Sequence, residues 1–248
     1  MGLAFARLAL ATLLLVGASA CDRTPDDSDR PETSREFPRA YRPAPQGGSA
    51  AVSSEEVRDD RNEAVTVMDL ANIEPGMTVA DIGAGDGYYT VRLAERVGPG
   101  GRVLAQDIDR DALARLGRRV EDERLDNVSI KLGAPDDPNL PPNSFDRIFL
   151  VDMYHEVEEP YAFLWRLRPA LAEGGQVIVV DVGGADKHGI SPELLFCEFQ
   201  QVGFRLVEFV RKPELAGYYA RFEAVGPRPE PGDIQPCKGQ GTNGEASS

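Results

Sequence analysis

Cysteine, histidine and tryptophan are scarce in this chain: three, two and one among 248 residues. Three thiols cannot build a disulfide framework. With no C-x-x-C pair and only two histidines, neither the ligand count nor the spacing of a structural zinc site is present. Cys197 lies in an apolar helical pattern and reads as a small buried hydrophobe. Basic residues are also short, since 27 Lys and Arg face 41 Asp and Glu and leave a formal charge of -14. Without clustered cations to neutralise phosphates, unaided binding to nucleic acid or to an anionic membrane surface is not expected. Long apolar runs are missing except for one near the N-terminus, which excludes a polytopic membrane protein. At 42% hydrophobic residues the chain is too apolar to be disordered throughout, and its length suits one sizeable domain with flexible ends.

The single apolar run, Leu8 to Val16, follows Arg7 and leads into Gly17-Ala18-Ser19-Ala20 and Cys21. Residues 1–20 read as an export signal, too short to span a bilayer comfortably. Ala18 and Ala20 match ordinary signal cleavage. A Cys directly after the small pair resembles the lipobox of bacterial lipoproteins, which implies acylation of Cys21, and Asp22 resembles an inner-membrane retention signal. The expected location is the bacterial cell envelope, with the membrane contacted only through this N-terminal anchor. Plain secretion or an uncleaved anchor are the alternatives, and the cytoplasm follows if the signal is unused.

Residues 21–50 are rich in Pro, Asp, Arg and Ser without apolar periodicity, and read as a disordered tether. The stretch 226–248, broken by Pro and Gly, reads as a disordered tail. Between them, 51–225, lies the expected domain, and it holds nearly all the excess acid.

Within that domain strand and helix alternate. Val52 to Ile73 reads as one helix, with Ser53 and Glu56 at capping-box spacing and Pro75-Gly76 as its stop. β-branched runs recur at Thr78–Ile82, Arg102–Ile108, Val128–Leu132, Phe145–Val151 and Gln176–Val182, each patterned as a strand buried on both faces. Helical stretches at Tyr88–Val97, Arg110–Leu125 and Tyr161–Leu171 separate them, the βαβ rhythm of a parallel sheet. Ser191-Pro192 opens a helix that runs to Val202 and is stopped by Gly203. Phe204–Val210 and Tyr218–Ala224 then read as an antiparallel pair at one edge.

The segment Val79 to Thr90, VADIGAGDGYYT, carries most of the chemistry. A strand ends at Asp81, and Gly83, Gly85 and Gly87 alternate through a tight turn into a helix, where a ligand can lie against bare backbone. Twenty residues past Gly87 the second strand ends at Asp107, where a carboxylate can accept both ribose hydroxyls. Asp109 suits the N-cap of the next helix. A dinucleotide fold sets pyrophosphate on the helix N-terminus, where Asp81 would repel it. An acidic strand end favours a cationic ligand portion, such as the ammonium and sulfonium of S-adenosylmethionine.

At these residues the sequence resembles the class I S-adenosylmethionine-dependent methyltransferases, most closely the group containing the ubiquinone and menaquinone C-methyltransferases. The resemblance spans roughly residues 55 to 225. It implies a Rossmann-like three-layer α/β/α sandwich with a seven-stranded, mostly parallel sheet of order 3-2-1-4-5-7-6, strand 7 antiparallel. It also implies that Asp81, Gly83, Ala84, Gly85 and Gly87 hold the methionine moiety, that Asp107 holds the ribose, and that Ile108 packs on the adenine. Ala134, or Asp136 just beyond it, would lie near the adenine amino group, and Asp152 beside the methionine part. His155 and Glu156 follow at the mouth of the substrate pocket as candidates for a general base, His188 lies where the family's substrate loop would be, and Tyr88 and Tyr89 serve either helix packing or a cofactor lid.

The implied activity is methyl transfer to a small or lipid-like acceptor. With so few thiols, arsenite methylation is not expected. Methyl transfer asks mainly for alignment, with a base where the acceptor has a proton to lose. Export would separate the domain from cytoplasmic S-adenosylmethionine, so a non-catalytic module binding a nucleoside ligand or a partner is the alternative from another class. An NAD-dependent oxidoreductase is disfavoured by Asp81 and the glycine spacing.

Overall fold

The structure, a computed structural model, describes residues 27–42, 53–183, 189–212, 214–215 and 217–237. Cys21 and the export signal lie outside the described residues, as does His188. Among the described residues no helix is long and apolar enough to cross a membrane.

Two short helices lead in: α1 (Glu55–Asp60) and α2 (Glu63–Leu70). The single helix expected there is broken at Asn62, which adopts a left-handed conformation (φ 56°), and the cap is Ser54, whose side chain accepts from the Val57 N–H. Then follow β1 (Thr78–Ile82), α3 (Tyr88–Val97), β2 (Arg102–Asp107), α4 (Arg110–Asp122), β3 (Val128–Leu132) and β4 (Phe145–Val151). The chain continues through α5 (Pro160–Leu167), β5 (Leu171–Asp181), α6 (Pro192–Gln201), β6 (Phe204–Val210) and β7 (Tyr218–Ala224). Ser191 caps α6 by accepting from the Leu194 N–H, and Pro192 occupies its first turn.

The seven strands order as β3-β2-β1-β4-β5-β7-β6, with β7 antiparallel to both neighbours and the other pairs parallel. Alternation along the central strands feeds two apolar layers. In β4, Ile148 and Leu150 face α5 and α6, while Phe149 and Val151 face the layer built from α2 and α3. Burial on both faces explains the unbroken apolar runs of β1, β4 and β5. β3 departs from that expectation: at the sheet edge, Ser129 and Ile130 are exposed.

The expected tether and tail are in part packed structure. Residues 27–42 lie across the α5 side, with Phe37 only 2% exposed and its ring 5.5 Å from that of Trp165. Residues 226–237 return to the same layer. The Trp165 indole N–H donates to the Pro229 carbonyl at 2.8 Å, and Ile234 is buried. Cys197 is not a lone buried thiol but is joined to Cys237 by a disulfide. That crosslink, together with aromatic and aliphatic side chains spaced too sparsely to show periodicity, fixes a segment whose Pro and Gly content suggests disorder.

Candidate active site

The C-terminal ends of the parallel strands gather the candidate residues along one edge of the sheet, where the strand order reverses between β1 and β4. The glycine turn follows β1. Gly83, Gly85 and Gly87 all have positive φ (70°, 53° and 91°), which a side chain would oppose. Their surroundings differ. A Cβ at Gly83 would strike Met153 at 2.9 Å and one at Gly87 would strike Leu116, whereas one at Gly85 would meet nothing within 4 Å. Gly83 and Gly87 therefore allow close packing, and Gly85 borders open space. The Gly83 and Ala84 N–H groups both donate to the Gln106 carbonyl, locking the turn to the end of β2.

Asp81 lies beneath this turn, 3% exposed, and accepts a 2.6 Å hydrogen bond from the Thr90 hydroxyl. Burial pushes its carboxyl up to about 6; Thr90 and the Arg58 charge oppose the shift and Asp107 adds to it. A buried carboxylate held up in this way would gain from a cationic ligand. At the end of β2, Asp107 accepts from the Gly85 N–H at 2.8 Å through Oδ2 and from the Asp109 N–H at 2.9 Å through Oδ1. Each oxygen keeps a second lone pair for a diol. Asp109 caps α4 through the Asp111 N–H. Ile108, directly beside Asp107, is 56% exposed, an apolar surface positioned to cover a flat base.

Tyr88 and Tyr89 serve helix packing: their hydroxyls donate to Asp59 and Glu63, tying α3 to the leading helices. Arg58, not anticipated from the sequence, is buried against both rings, with its guanidinium carbon 4.0 Å from the Tyr88 centroid. It donates to Glu63 and lies 3.6 Å from the Asp152 carboxylate. Asp152, the residue after β4, adopts a left-handed conformation (φ 51°) with its N–H on the Val180 carbonyl. Its carboxyl is pushed up to about 6 by burial, although a side chain 44% exposed remains partly screened by solvent.

Beyond β3, Ala134 pairs with Asp137 in a small reverse loop. Asp136 does not reach toward a ligand: it is 5% exposed and accepts from Thr33, Ser34 and Arg166. Its role is to hold the N-terminal segment.

Beyond β4, a 3₁₀ turn, Tyr154–Glu156, carries His155. Its Nδ1 faces the Asp181 carboxylate at 3.1 and 3.0 Å, and Asp181, the last residue of β5, is 1% exposed. An Asp carboxylate accepts from Nδ1–H, which leaves Nε2 as the lone-pair nitrogen of the neutral ring. Burial lowers the imidazole's affinity for a proton, but the bond to Asp181 and the nearby Glu156 and Asp152 charges outweigh it, and its pKa is raised above 6.5. Glu156 is 68% exposed and makes only a 3.9 Å approach to Nε2. Asp181 is a partner that sequence reasoning missed, although β5, like β2, ends in Asp. A groove of about 790 Å³ between α3 and α4 lies at the opposite end of the strands and includes none of these residues.

The family model "Methyltransferase domain" matches residues 79–175, from β1 into β5. A protein-L-isoaspartate O-methyltransferase of Methanothrix thermoacetophila is 28% identical over 64% of this chain and 70% of its own length. A ubiquinone/menaquinone biosynthesis C-methyltransferase of Hydrogenovibrio crunogenus is 31% identical over 46% of this chain and 45% of its own. The chain spans less than half the length of several curated relatives it matches. Among solved structures, a SAM-dependent methyltransferase from Aquifex aeolicus superposes with a TM-score of 0.59 at 22% identity, covering 68% of this chain and 97% of that one. The acidic glycine turn and the strand order agree with these matches: the chain has the class I methyltransferase fold and is similar to S-adenosylmethionine-dependent methyltransferases.

Proposed function

We propose that the protein transfers a methyl group from S-adenosylmethionine to a small or lipid-like acceptor that must lose a proton, with His155 as general base and Asp181 as the group that orients it. The carrying observation is the His155–Asp181 pair at the end of β4 and β5, beside a glycine turn whose central position borders open space. The residues present suit the cofactor. Asp81, with Asp152 nearby, offers negative charge to the ammonium, Asp107 accepts from the ribose, Ile108 covers the adenine, and the loop at Ala134 closes the adenine end. Arg58 supplies a cation for the carboxylate. When bound, the cofactor supplies a methyl carbon already activated by a sulfonium. The chain's residues then need only hold the acceptor in line and take its proton at Nε2 of His155, while Asp181 stabilises the resulting imidazolium. Glu156, exposed to solvent, is assigned no proton transfer.

The envelope reading joins to this site through geometry. Cys21 lies six positions before Asp27, and a chain of that length reaches at most about 20 Å. Because residues 27–42 cross the loops after β3 and β4, acylation of Cys21 would hold the site's mouth near a lipid surface, which favours a lipid-like acceptor. Nucleic acid is not among the proposed partners.

Three measurements test this. Melting with S-adenosylmethionine, S-adenosylhomocysteine and NAD should show stabilisation by the first two alone; stabilisation by NAD alone would return the oxidoreductase reading, and by none the silent module. Labelled methyl transfer to a lipid extract should fall about 10²- to 10⁴-fold in His155→Asn. An undiminished rate would remove His155 from the chemistry. Cys21→Ser should release the protein from the membrane fraction, and retention would contradict the lipid anchor.

A further inference from the structure

The turn that carries His155 is three residues of 3₁₀ helix, closed by the Glu156 N–H on Met153 and the Val157 N–H on Tyr154. So short a turn has little stability of its own. It is gripped from outside by a side chain more than a hundred residues away. Nη1 of Arg42 donates to the carbonyls of Tyr154 at 2.9 Å, Val157 at 2.7 Å and His155 at 3.4 Å. The rest of the guanidinium is committed to α6: Nε donates to Glu198 Oε1 at 3.0 Å and Nη2 to Oε2 at 2.7 Å. The Tyr154 hydroxyl donates to the same Oε2 at 2.9 Å, and the Arg42 guanidinium lies over the Tyr154 ring at 4.7 Å. Glu198 has no exposed side-chain surface and Arg42 only 13%.

The same N-terminal segment ties down the neighbouring loops. Arg30 forms a two-pronged pair with Glu159, the residue before α5, at 2.7 Å on each prong. Thr33 and Ser34 donate to Asp136 in the loop after β3 at 2.6 and 2.7 Å. Residues 27–42 thus form a strap across the loops that follow β3 and β4.

We propose that Arg42 is a positioning residue for the methyl-transfer site: clamped on Glu198, its guanidinium gathers the carbonyls of the 154–157 turn and so holds His155 against Asp181. The proposal rests on His155 being the base, but it is tested on the histidine itself. A buried ion pair is rarely the most stable filling for its space, since an apolar pair of similar volume commonly does as well. What this pair provides that an apolar one would not is a fork of donors aimed at one turn. The strap, and not the sheet alone, then sets the geometry of the base.

Two variants of the full chain test it: Arg42→Lys, which keeps the charge but loses the fork, and Arg42→Met with Glu198→Gln, which removes both charges and keeps an acceptor for Tyr154. Among the described residues, the groups facing His155 include Asp181 from β5, Asp152 before the turn and Glu156 within it, with Arg42 and Glu198 behind the turn. The sequence has only two histidines, so the His155 ring signal can be assigned with His188→Gln and titrated by NMR. Loosening the turn should lower the His155 pKa in both variants by about half a unit or more, as its contact with Asp181 weakens. Loss of nearby positive charge without loosening would raise it instead. An unchanged or raised value in the folded variants overturns the proposal. If both variants lose the native melting transition, the clamp serves the fold as a whole and the proposal is likewise overturned. Failure of His155→Asn to slow methyl transfer would overturn the base assignment while leaving the titration result standing, so the two failures are distinguishable.

Discussion

Around the glycine turn, the groups that shape the cofactor end come mostly from one short stretch, Asp81 to Asp107, and are fixed by local backbone: positive φ at three glycines and amides bonded to Gln106 and Asp107. Around His155 the groups come from Arg42, Asp181 and Glu198, with Cys237 bonded beside Glu198 at Cys197. Neighbours in sequence build a site of fixed chemistry. Distant segments brought together build a site whose geometry can be changed by altering any one of them.

The sharpest break between the two ends is Gly85→Val. With open space where its side chain would project, the fold should survive at a cost of about 1–2 kcal/mol from the left-handed backbone. S-adenosylmethionine affinity should fall more than about 100-fold, because the new side chain occupies ligand space. Normal calorimetric binding would show that Gly85 is not the pocket floor. Next in size is the disulfide. Converting Cys197 and Cys237 to Ala should lower stability by about 2–4 kcal/mol in urea unfolding while leaving cofactor affinity unchanged, since the crosslink joins α6 to the segment after β7, behind the His155 turn and not the glycine turn. A matching loss of affinity would show that the two ends are coupled.

Asp107→Ala should weaken S-adenosylmethionine by about 1–3 kcal/mol, through loss of the ribose bonds and of the Gly85 N–H contact together. The smallest effect concerns Asp81. Its folded carboxyl titrates at about 6 against an ordinary 3.8, so between these values the native state binds more protons than the unfolded chain. The contribution of Asp81 to stability therefore declines as pH rises from 4 to 6 and levels off above. Subtracting Asp81→Asn from the native protein in urea melts should isolate a decline of about 1–2 kcal/mol over that window. Cofactor affinity should rise over the same range as Asp81 ionises, and a flat difference would place Asp81 outside the charge balance of the site.

How much was legible in the sequence follows the same division. Thr78–Ile82, Tyr88–Val97, Val128–Leu132, Phe145–Val151 and both closing strands coincide with their sequence patterns, because short apolar and β-branched runs and helix periodicity mark them locally. The sheet order came from the family resemblance, and the structure bears it out. Asp81, Asp107 and the glycines stand where the motif places them. Arg42 was not legible: it sits in a Pro- and Arg-rich stretch, and its partners lie more than a hundred residues away. The same holds for Cys237, whose surroundings carry no periodicity, and for Asp136, where a carboxylate in a loop reads equally as ligand contact or as anchor. The break at Asn62 was hidden because an apolar pattern continues across it.

On the proposed reading, S-adenosylmethionine is held through Asp81, the glycine turn and Asp107. The most direct test is calorimetric titration of S-adenosylmethionine into protein lacking its first 21 residues, with Asp107→Ala alongside. Micromolar binding that is lost or strongly weakened in Asp107→Ala is the expected result; no binding to well-folded protein, or equal binding in both, would contradict it.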